Sequence, residues 1–447
     1  MASNTLDDLL NTIQRNWSYL SSQATPLNLA MTLVALLISL LSAYILAVSQ
    51  QETPPAAPSG CRNIGLQGRS NLHDQYSKQY SSGTGTSAST SWTVKAMFIY
   101  PIKSCGPVEL AKSNVTTSGL RYDRQFTLAQ QSTSLPTLEG KVTSEWKFIT
   151  QRAFPRLAKV ETQVWTPDPS APGYNKDGEW VKSQGCVVVR FPFTPDTEFS
   201  IQGLRNLGKI LAAKLEGKSE PMIEFRLPFN PNAERMREKQ YRKERMAIWK
   251  DHPMALNMGC EIPEETLAQL KYTLGVTNPL TLFRIDEEGR REVLRCAPKK
   301  EEVGFQTTIG MADSYPMHIL NLASLHDVAS RLPSKSSISR LSALRFRPNL
   351  LITGPPAFDE DDWKQARIGQ IMHHISCRTT RCKLPNVNPE TATANRNEPS
   401  TTLLKYRVID KGSKNACLGM QVTPLEKGEV QIGDVVEVTE RGEHFSL

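Results

Sequence analysis

The sequence predicts an α+β protein: one N-terminal transmembrane helix, then a mixed, largely β body of barrel type with a few helices attached. Three observations predict it. No charged residue falls between positions 26 and 50, and residues 27–48 are rich in Leu, Ala, Ile and Val. Beyond Trp92 the apolar residues come in short runs broken by Gly, Pro and Asn, the pattern of strands and turns. Only a few stretches, 204–215 and 321–332 among them, carry apolar residues at helical spacing.

At 447 residues the chain is long enough for two domains and a substantial core. Its formal net charge of +8 suits acidic partners such as phospholipid headgroups, acidic proteins or an anionic cofactor. No zinc-finger or RNP-type motif points to nucleic acid, so none is expected as a partner. Eight cysteines without regular spacing argue for reduced thiols on a cytosolic face, not a disulfide framework.

Taken in order, residues 1–26 form an N-terminal segment and 27–49 the transmembrane helix. At about 1.5 Å per residue that run crosses a hydrocarbon core of roughly 30 Å. It is too long for a signal-peptide core, and its flank holds Asp7 and Asp8 beside Arg15, so it reads as an uncleaved anchor in the lipid bilayer. Arg62 and Arg69 downstream outnumber Arg15 upstream and put the larger part in the cytosol. Residues 50–92, poor in large apolar side chains and ending in a Ser/Thr/Gly run, predict a flexible linker. A first domain then spans 93–228, opening with a strand at 94–100 covered on both faces. It continues through strands near 126–128, 158–164 and 187–189 and an amphipathic helix at 204–215.

The second domain spans 229–447, with an insertion at about 229–310. Seven basic and three acidic residues at 234–250 read as a solvated helix or, more sharply, as a docking surface for an acidic partner. Pro263, followed by Glu264 and Glu265, starts a short helix, and Asn321 caps another. A strand at 345–354, a helix at 359–366 and strands near 403–408, 430–432 and 435–438 complete the body.

Chemistry concentrates at 373–389. His373, His374, Cys377, Arg378, Arg381, Cys382 and Lys383 stand within one loop length. Adjacent positive charge favours the ionised sulfur that acts as nucleophile or metal ligand, which singles out Cys382 between Arg381 and Lys383. Two alternatives stay open at this point: a buried structural cysteine, and half of a zinc site formed by the histidines with both cysteines.

Further motifs give these residues a context. Tyr100-Pro101-Ile102-Lys103-Ser104-Cys105, Gly119-Leu120-Arg121-Tyr122-Asp123-Arg124 and Thr150-Gln151-Arg152-Ala153-Phe154-Pro155 resemble the N-terminal β-barrel domain that precedes MOSC domains. Asp313-Ser314-Tyr315-Pro316, Phe346-Arg347-Pro348-Asn349, Arg381-Cys382, Val387-Asn388-Pro389 and Gly433-Asp434 resemble the MOSC β-barrel domain itself. The pattern is most similar to the amidoxime-reducing component family. That resemblance implies a molybdenum cofactor (Mo-molybdopterin), with Cys382 as catalytic residue and metal-bound thiolate. It implies that Lys103, Ser104, Arg124, Ser314, Arg347 and Asn349 hold the pterin and its phosphate. It further implies a molybdenum cofactor-dependent oxidoreductase that reduces N-oxygenated small-molecule substrates with electrons from a b-type cytochrome and its flavin reductase. The place implied is the mitochondrial outer membrane, single-pass, with the catalytic part facing the cytosol. Pyridoxal phosphate binding is one more expectation of this kind. Asn388, Pro385-Asn386 and the bulky Tyr315 depart from the reductase pattern. The alternatives are a MOSC-type sulfur carrier or transferase using Cys382, and a non-catalytic membrane tether.

Overall fold

The computed structural model describes residues 14–15, 25–50, 56–81, 91–136, 142–193, 201–215, 221–336 and 338–444. The chain divides into two units, one holding residues 1–56 and 195–221, the other 57–194 and 222–447.

In the first unit the helix Pro26–Gln50 is long and apolar enough to cross a membrane. Three of its hydroxyls are bonded within the helix. Thr32, Ser39 and Ser42 each donate to the carbonyl four residues back, at 2.7, 2.8 and 2.7 Å, which satisfies them in an apolar solvent. The expected amphipathic helix runs from Ile201 to Leu215 and packs within this unit. At its Gly208 an added Cβ would stand 2.8 Å from the Tyr44 ring, so the close approach of the two helices requires glycine.

The second unit is built on an eight-stranded sheet. Its order is Val436–Arg441, Trp363–Ile368, Ile371–Thr380, Cys417–Pro424, Met317–Asn321, Leu350–Thr353, Thr93–Ile99 and Val108–Leu110. All neighbours are antiparallel except Met317–Asn321 and Leu350–Thr353, which are parallel and joined through the helix Leu322–Ser330. Asn321 starts that helix, its side chain accepting from the Ala323 N–H at 3.1 Å. Met97, Ile99 and Met420 pack on one side of the sheet and Ala96, Phe98 and Leu351 on the other. This two-sided burial explains why the first strand reads as a nearly continuous apolar run, and each fully buried Phe or Leu contributes about 1.5–3 kcal/mol. Backbone bonds from Val94 to Asp434 and from Gly433 to Val94, 2.9 and 2.8 Å, draw the approach to the last strand back to the first. The sheet thus curls into a partial barrel, short of the full barrel expected.

Five more strands, Phe126–Thr133, Ser144–Phe148, Arg242–Ala247, Met254–Asn257 and Leu280–Arg284, form a ring completed where Met246 pairs with Trp146. A four-stranded sheet joins Cys61–Asn63, Glu161–Pro167, Cys186–Pro192 and Met222–Pro228. Phe126, Leu128 and Leu282 from the ring share a core with Val187 and Phe191 from this sheet.

Strand pairing corrects several expectations. Thr93–Ile99 pairs with Leu350–Thr353, across the boundary expected at 228. The region read as an insertion supplies three of the five ring strands, so it is part of the fold. The basic stretch 234–250 is a short helix, Ala233–Glu238, followed by the strand Arg242–Ala247. Its cations are engaged locally: buried Glu261 accepts from Arg235 and Lys239, and Lys243 pairs with Asp286 at 2.9 Å. Those pairs leave the docking reading without three of its charges.

The stretch expected as a flexible linker is folded over 57–81. Cys61–Asn63 pairs with Glu161–Pro167, Leu72 is buried, and Glu109 accepts from Ser70 Oγ and Asn71 Nδ2 at 2.6 and 2.9 Å. Polar contacts do the anchoring that large apolar side chains would otherwise do, which is why composition misled. The Ser/Thr/Gly run at 82–90 lies outside the described residues. Elsewhere, 359–366 is a single 3-10 turn, Asp359–Asp362, followed by the strand Trp363–Ile368. Residues 400–404 are helical where a strand was expected from 403.

Candidate functional site

All seven predicted residues, Lys103, Ser104, Arg124, Ser314, Arg347, Asn349 and Cys382, line one cleft of about 180 Å³ in the second unit. Turns deliver them. The strand Thr93–Ile99 stops at Tyr100-Pro101, and the chain then turns through Ser104 with φ 68°. Tyr122 and Arg124 follow with φ 72° and 46°, and Arg347 leaves the 3-10 turn Ala343–Phe346 with φ 52°. Left-handed backbone at four non-glycine residues is costly and clusters where side chains must be aimed. Gly119 helps seat the 119–124 segment: an added Cβ there would lie 2.6 Å from the Pro316 carbonyl, and its φ is 105°.

The cleft wall is cationic. The fully buried Tyr100 ring has Arg347 over it at 4.0 Å and Arg124 at 4.8 Å, and its hydroxyl donates to the Pro348 carbonyl at 3.3 Å. Arg124 also donates to Asp123, to Asn349 Oδ1 at 3.1 Å and to the Arg347 carbonyl at 3.2 Å. Arg347 donates to the Cys105 carbonyl at 2.7 Å, while its Nη2 is buried with no hydrogen-bond partner. Burial pulls the Arg347 guanidinium down to about 10, which still leaves it charged at neutral pH. Lys103, 5% exposed, donates to the Met311 carbonyl at 2.9 Å and pairs with Asp313. Burial lowers its pKa, opposed by that carboxylate.

Asn349 lines the cleft and is tied into its wall. It is fully buried, its Oδ1 accepts from Arg124 and from the His318 N–H at 3.1 Å, and its Nδ2 donates to the Phe98 carbonyl at 3.1 Å. It therefore positions Arg124.

Cys382 follows the end of the strand Ile371–Thr380 and is exposed at the cleft. Bulges against Cys417–Pro424 shift the register after Ile375 and after Arg378, and such bulges re-aim side chains at a strand end. The Leu384 N–H donates to the Cys382 sulfur at 3.4 Å. Arg381 is close enough for the Cys382 sulfur to favour its charge against burial, but it makes its hydrogen bonds elsewhere. Its guanidinium turns inward to the Leu418 and Phe346 carbonyls at 3.0 and 3.2 Å and to His318 Nε2 at 2.7 Å. Burial first, then Arg381 and Arg124, hold His318 well below its ordinary pKa, so it is neutral and accepts from Arg381.

Cys377 is buried beside Tyr315 and Val293, and burial pushes its thiol up to about 12. His373 is fully buried, with its pKa pulled down to about 4. Among the described residues no group of three or more His, Cys, Asp or Glu is placed to hold a metal ion, so the zinc half-site is not formed. Asn388 lies outside the cleft, where its side chain accepts from the Glu390 N–H at 2.9 Å in a turn. Tyr315 donates to the Arg295 carbonyl at 2.8 Å.

Other cleft residues escaped the sequence reading. Asp313 stood in a quoted motif without a role. Trp249, from the supposed insertion, donates to Asp313 at 2.9 Å and lies under Arg152 at 5.3 Å; nothing in the sequence marked it.

Residues 91–216 match the family model described as the MOSC N-terminal beta barrel domain, and residues 306–437 match the MOSC domain. Among curated proteins the chain is 36% identical over 134 residues to mitochondrial amidoxime-reducing component 1 of Mus musculus, covering 29% of this chain and 38% of the relative. Identity to the Homo sapiens protein of that name is 34% over 133 residues, with the same coverage. A longer stretch, 323 residues at 24% identity, matches molybdenum cofactor sulfurase of Oryza sativa subsp. japonica, 70% of this chain and 31% of the relative. These matches therefore span well under half of each relative's length. Neither the domain descriptions nor these names carry the pyridoxal phosphate expectation.

Proposed function

Because the chain carries a MOSC N-terminal beta barrel domain followed by a MOSC domain, we propose that it is a molybdenum cofactor-dependent oxidoreductase that reduces N-oxygenated small molecules. The observation that carries this reading is the cleft itself: one exposed thiol at a wall holding Lys103, Arg124 and Arg347, with a buried guanidinium nitrogen left unbonded. Such a donor set fits an anionic cofactor that presents phosphate oxygens to guanidinium forks and a soft metal to a thiolate.

In this reading Cys382 supplies the sulfur ligand, and the molybdenum cofactor, when bound, supplies two-electron redox chemistry. Arg347 uses its unbonded Nη2, and Arg124 the face of its guanidinium not taken by Asp123 and Asn349, to hold the cofactor's anionic groups. Ser104 and Ser314 offer neutral hydrogen bonds. Lys103 adds fixed charge, its position set by Asp313 and the Met311 carbonyl. Electrons come from a separate carrier, a b-type cytochrome with its flavin reductase. The helix Pro26–Gln50 anchors the chain in a membrane, which we take to be the mitochondrial outer membrane with the catalytic part in the cytosol; the relatives' names support the mitochondrial part of that reading.

A second reading has its own observation. The long match to molybdenum cofactor sulfurase favours sulfur transfer, in which Cys382 would carry a persulfide. One assay separates them. Purified full chain from a molybdenum-replete host should contain close to one molybdenum and one pterin per chain. Labile sulfane sulfur without molybdenum would support the transferase, and the absence of both would leave only a membrane tether.

A further inference from the structure

A second cavity, about 720 Å³, lies behind the Tyr122–Arg124 turn and shares no lining residue with the first cleft. Its wall contains Arg284, at the end of the strand Leu280–Arg284. That side chain is unusual. Arg284 is only 9% exposed, yet among the described residues it makes no side-chain hydrogen bond or ion pair, and its Nε is buried without a partner. Its guanidinium lies over the Phe229 ring at 5.9 Å, and Tyr122 meets Phe229 edge-on at 4.5 Å.

No acid around this cavity makes a hydrogen bond or ion pair with Arg284, although the Asp286 carboxylate is near enough to favour its charge against burial. Asp286 pairs with Lys243 at 2.9 Å and accepts from the Gly289 N–H at 2.9 Å. Glu288 also reaches Lys243, at 3.3 Å, and Glu287 reaches Arg290 at 3.7 Å. Asp123 lines the cavity, but its carboxylate is engaged, accepting from the Tyr100 N–H at 2.7 Å and pairing with Arg124. A buried guanidinium with no hydrogen-bonded or ion-paired partner is an arrangement that folded proteins avoid, and here it lines a space large enough for a ligand, beside two aromatic rings.

We propose that this cavity is a binding site for a small organic anion, whose carboxylate or phosphate ester takes the fork of Arg284 and whose flat apolar body lies against Phe229 and Tyr122. The guanidinium is the donor suited to either headgroup, and the rings supply the apolar contact. The site is independent of the function assigned to the first cleft.

The test uses benzoate and phenyl phosphate, titrated by calorimetry into the full chain in detergent, with benzylamine as a cationic control. One equivalent of at least one anion should bind, benzylamine should not, and the tighter anion identifies the headgroup. Arg284→Met should weaken binding at least roughly tenfold, as expected for loss of a charged hydrogen bond, while the melting temperature stays level or rises because an unpaired buried charge has gone. Arg284→Lys keeps the charge but loses the fork, and should fall between the two. Arg347→Met, which alters only the first cleft, should leave the affinity unchanged. Failure of both anions to bind, equal binding by Arg284→Met, or loss in Arg347→Met instead would overturn the proposal.

Discussion

At the scale of single residues the first cleft is a set of guanidinium groups held apart by one tyrosine ring. Arg347→Ala or Arg124→Ala should each reduce cofactor occupancy about tenfold or more, since a charged hydrogen bond is worth roughly 1.5–3 kcal/mol; pterin content of the purified variants measures it, and unchanged content in both would remove them from the site. Asn349→Ala should lower both stability and occupancy, because the side chain it deletes holds Arg124 and the His318 amide. A different residue gives a pH signature. Glu360 is fully buried, accepts from Ser324 and Asn321 at 2.7 and 3.0 Å, and is pushed up to about 7, first by burial and then by Asp361. A carboxyl whose folded pKa is raised binds more protons in the native state, so its contribution is present below the unfolded value near 4.5 and is lost as pH rises towards about 7. Glu360→Gln cannot ionise. It should therefore gain on the wild type across that window by up to roughly 3 kcal/mol, against a background in which His373 and His444, both pulled down to about 4, make both proteins less stable in acid. Urea melts at several pH values measure the gap, and parallel curves would contradict it. The sequence displayed the cationic residues and Cys382, since motif order carried them. It hid the inward turn of Arg381 and the approach of Trp249, because each depends on contacts with residues far along the chain.

At the scale of elements, long regular stretches were legible and short ones were not. The apolar helix, the first strand and the Asn321 cap follow from local pattern alone. The ring strands Arg242–Ala247 and Met254–Asn257 did not, because charged side chains dominate the former and its second partner is the distant Ser144–Phe148, while the latter is only four residues long. Excising 229–310 should therefore leave an aggregated or unfolded chain, since three strands of a five-stranded ring go with it. A compact, cofactor-loaded product on gel filtration would show that the region is dispensable. Residues 57–81 make a similar case at smaller scale. A chain starting at residue 57 should melt higher than one starting at 91, which lacks the Cys61–Asn63 strand and the Ser70 and Asn71 contacts to Glu109; equal melting temperatures would mean the segment is ornamental.

At the scale of the whole molecule two separable properties sit on one chain: an apolar helix suited to a membrane and a second unit that contains the entire candidate site. A chain starting at residue 57 should accordingly be released from membranes by a high-salt wash while keeping its cofactor. Persistence in the membrane pellet would show that more than Pro26–Gln50 anchors the protein. The central claim is that Cys382 is the sulfur ligand of a molybdenum centre, and X-ray absorption at the molybdenum edge tests it most directly. The account predicts one sulfur neighbour fewer in Cys382→Ser, with pterin still bound through its other contacts, because a hard hydroxyl replaces a soft thiolate poorly. It predicts an unchanged sulfur count in Cys377→Ser, whose thiol is buried beside Tyr315. A full sulfur count in Cys382→Ser, or the loss appearing in Cys377→Ser instead, would contradict it.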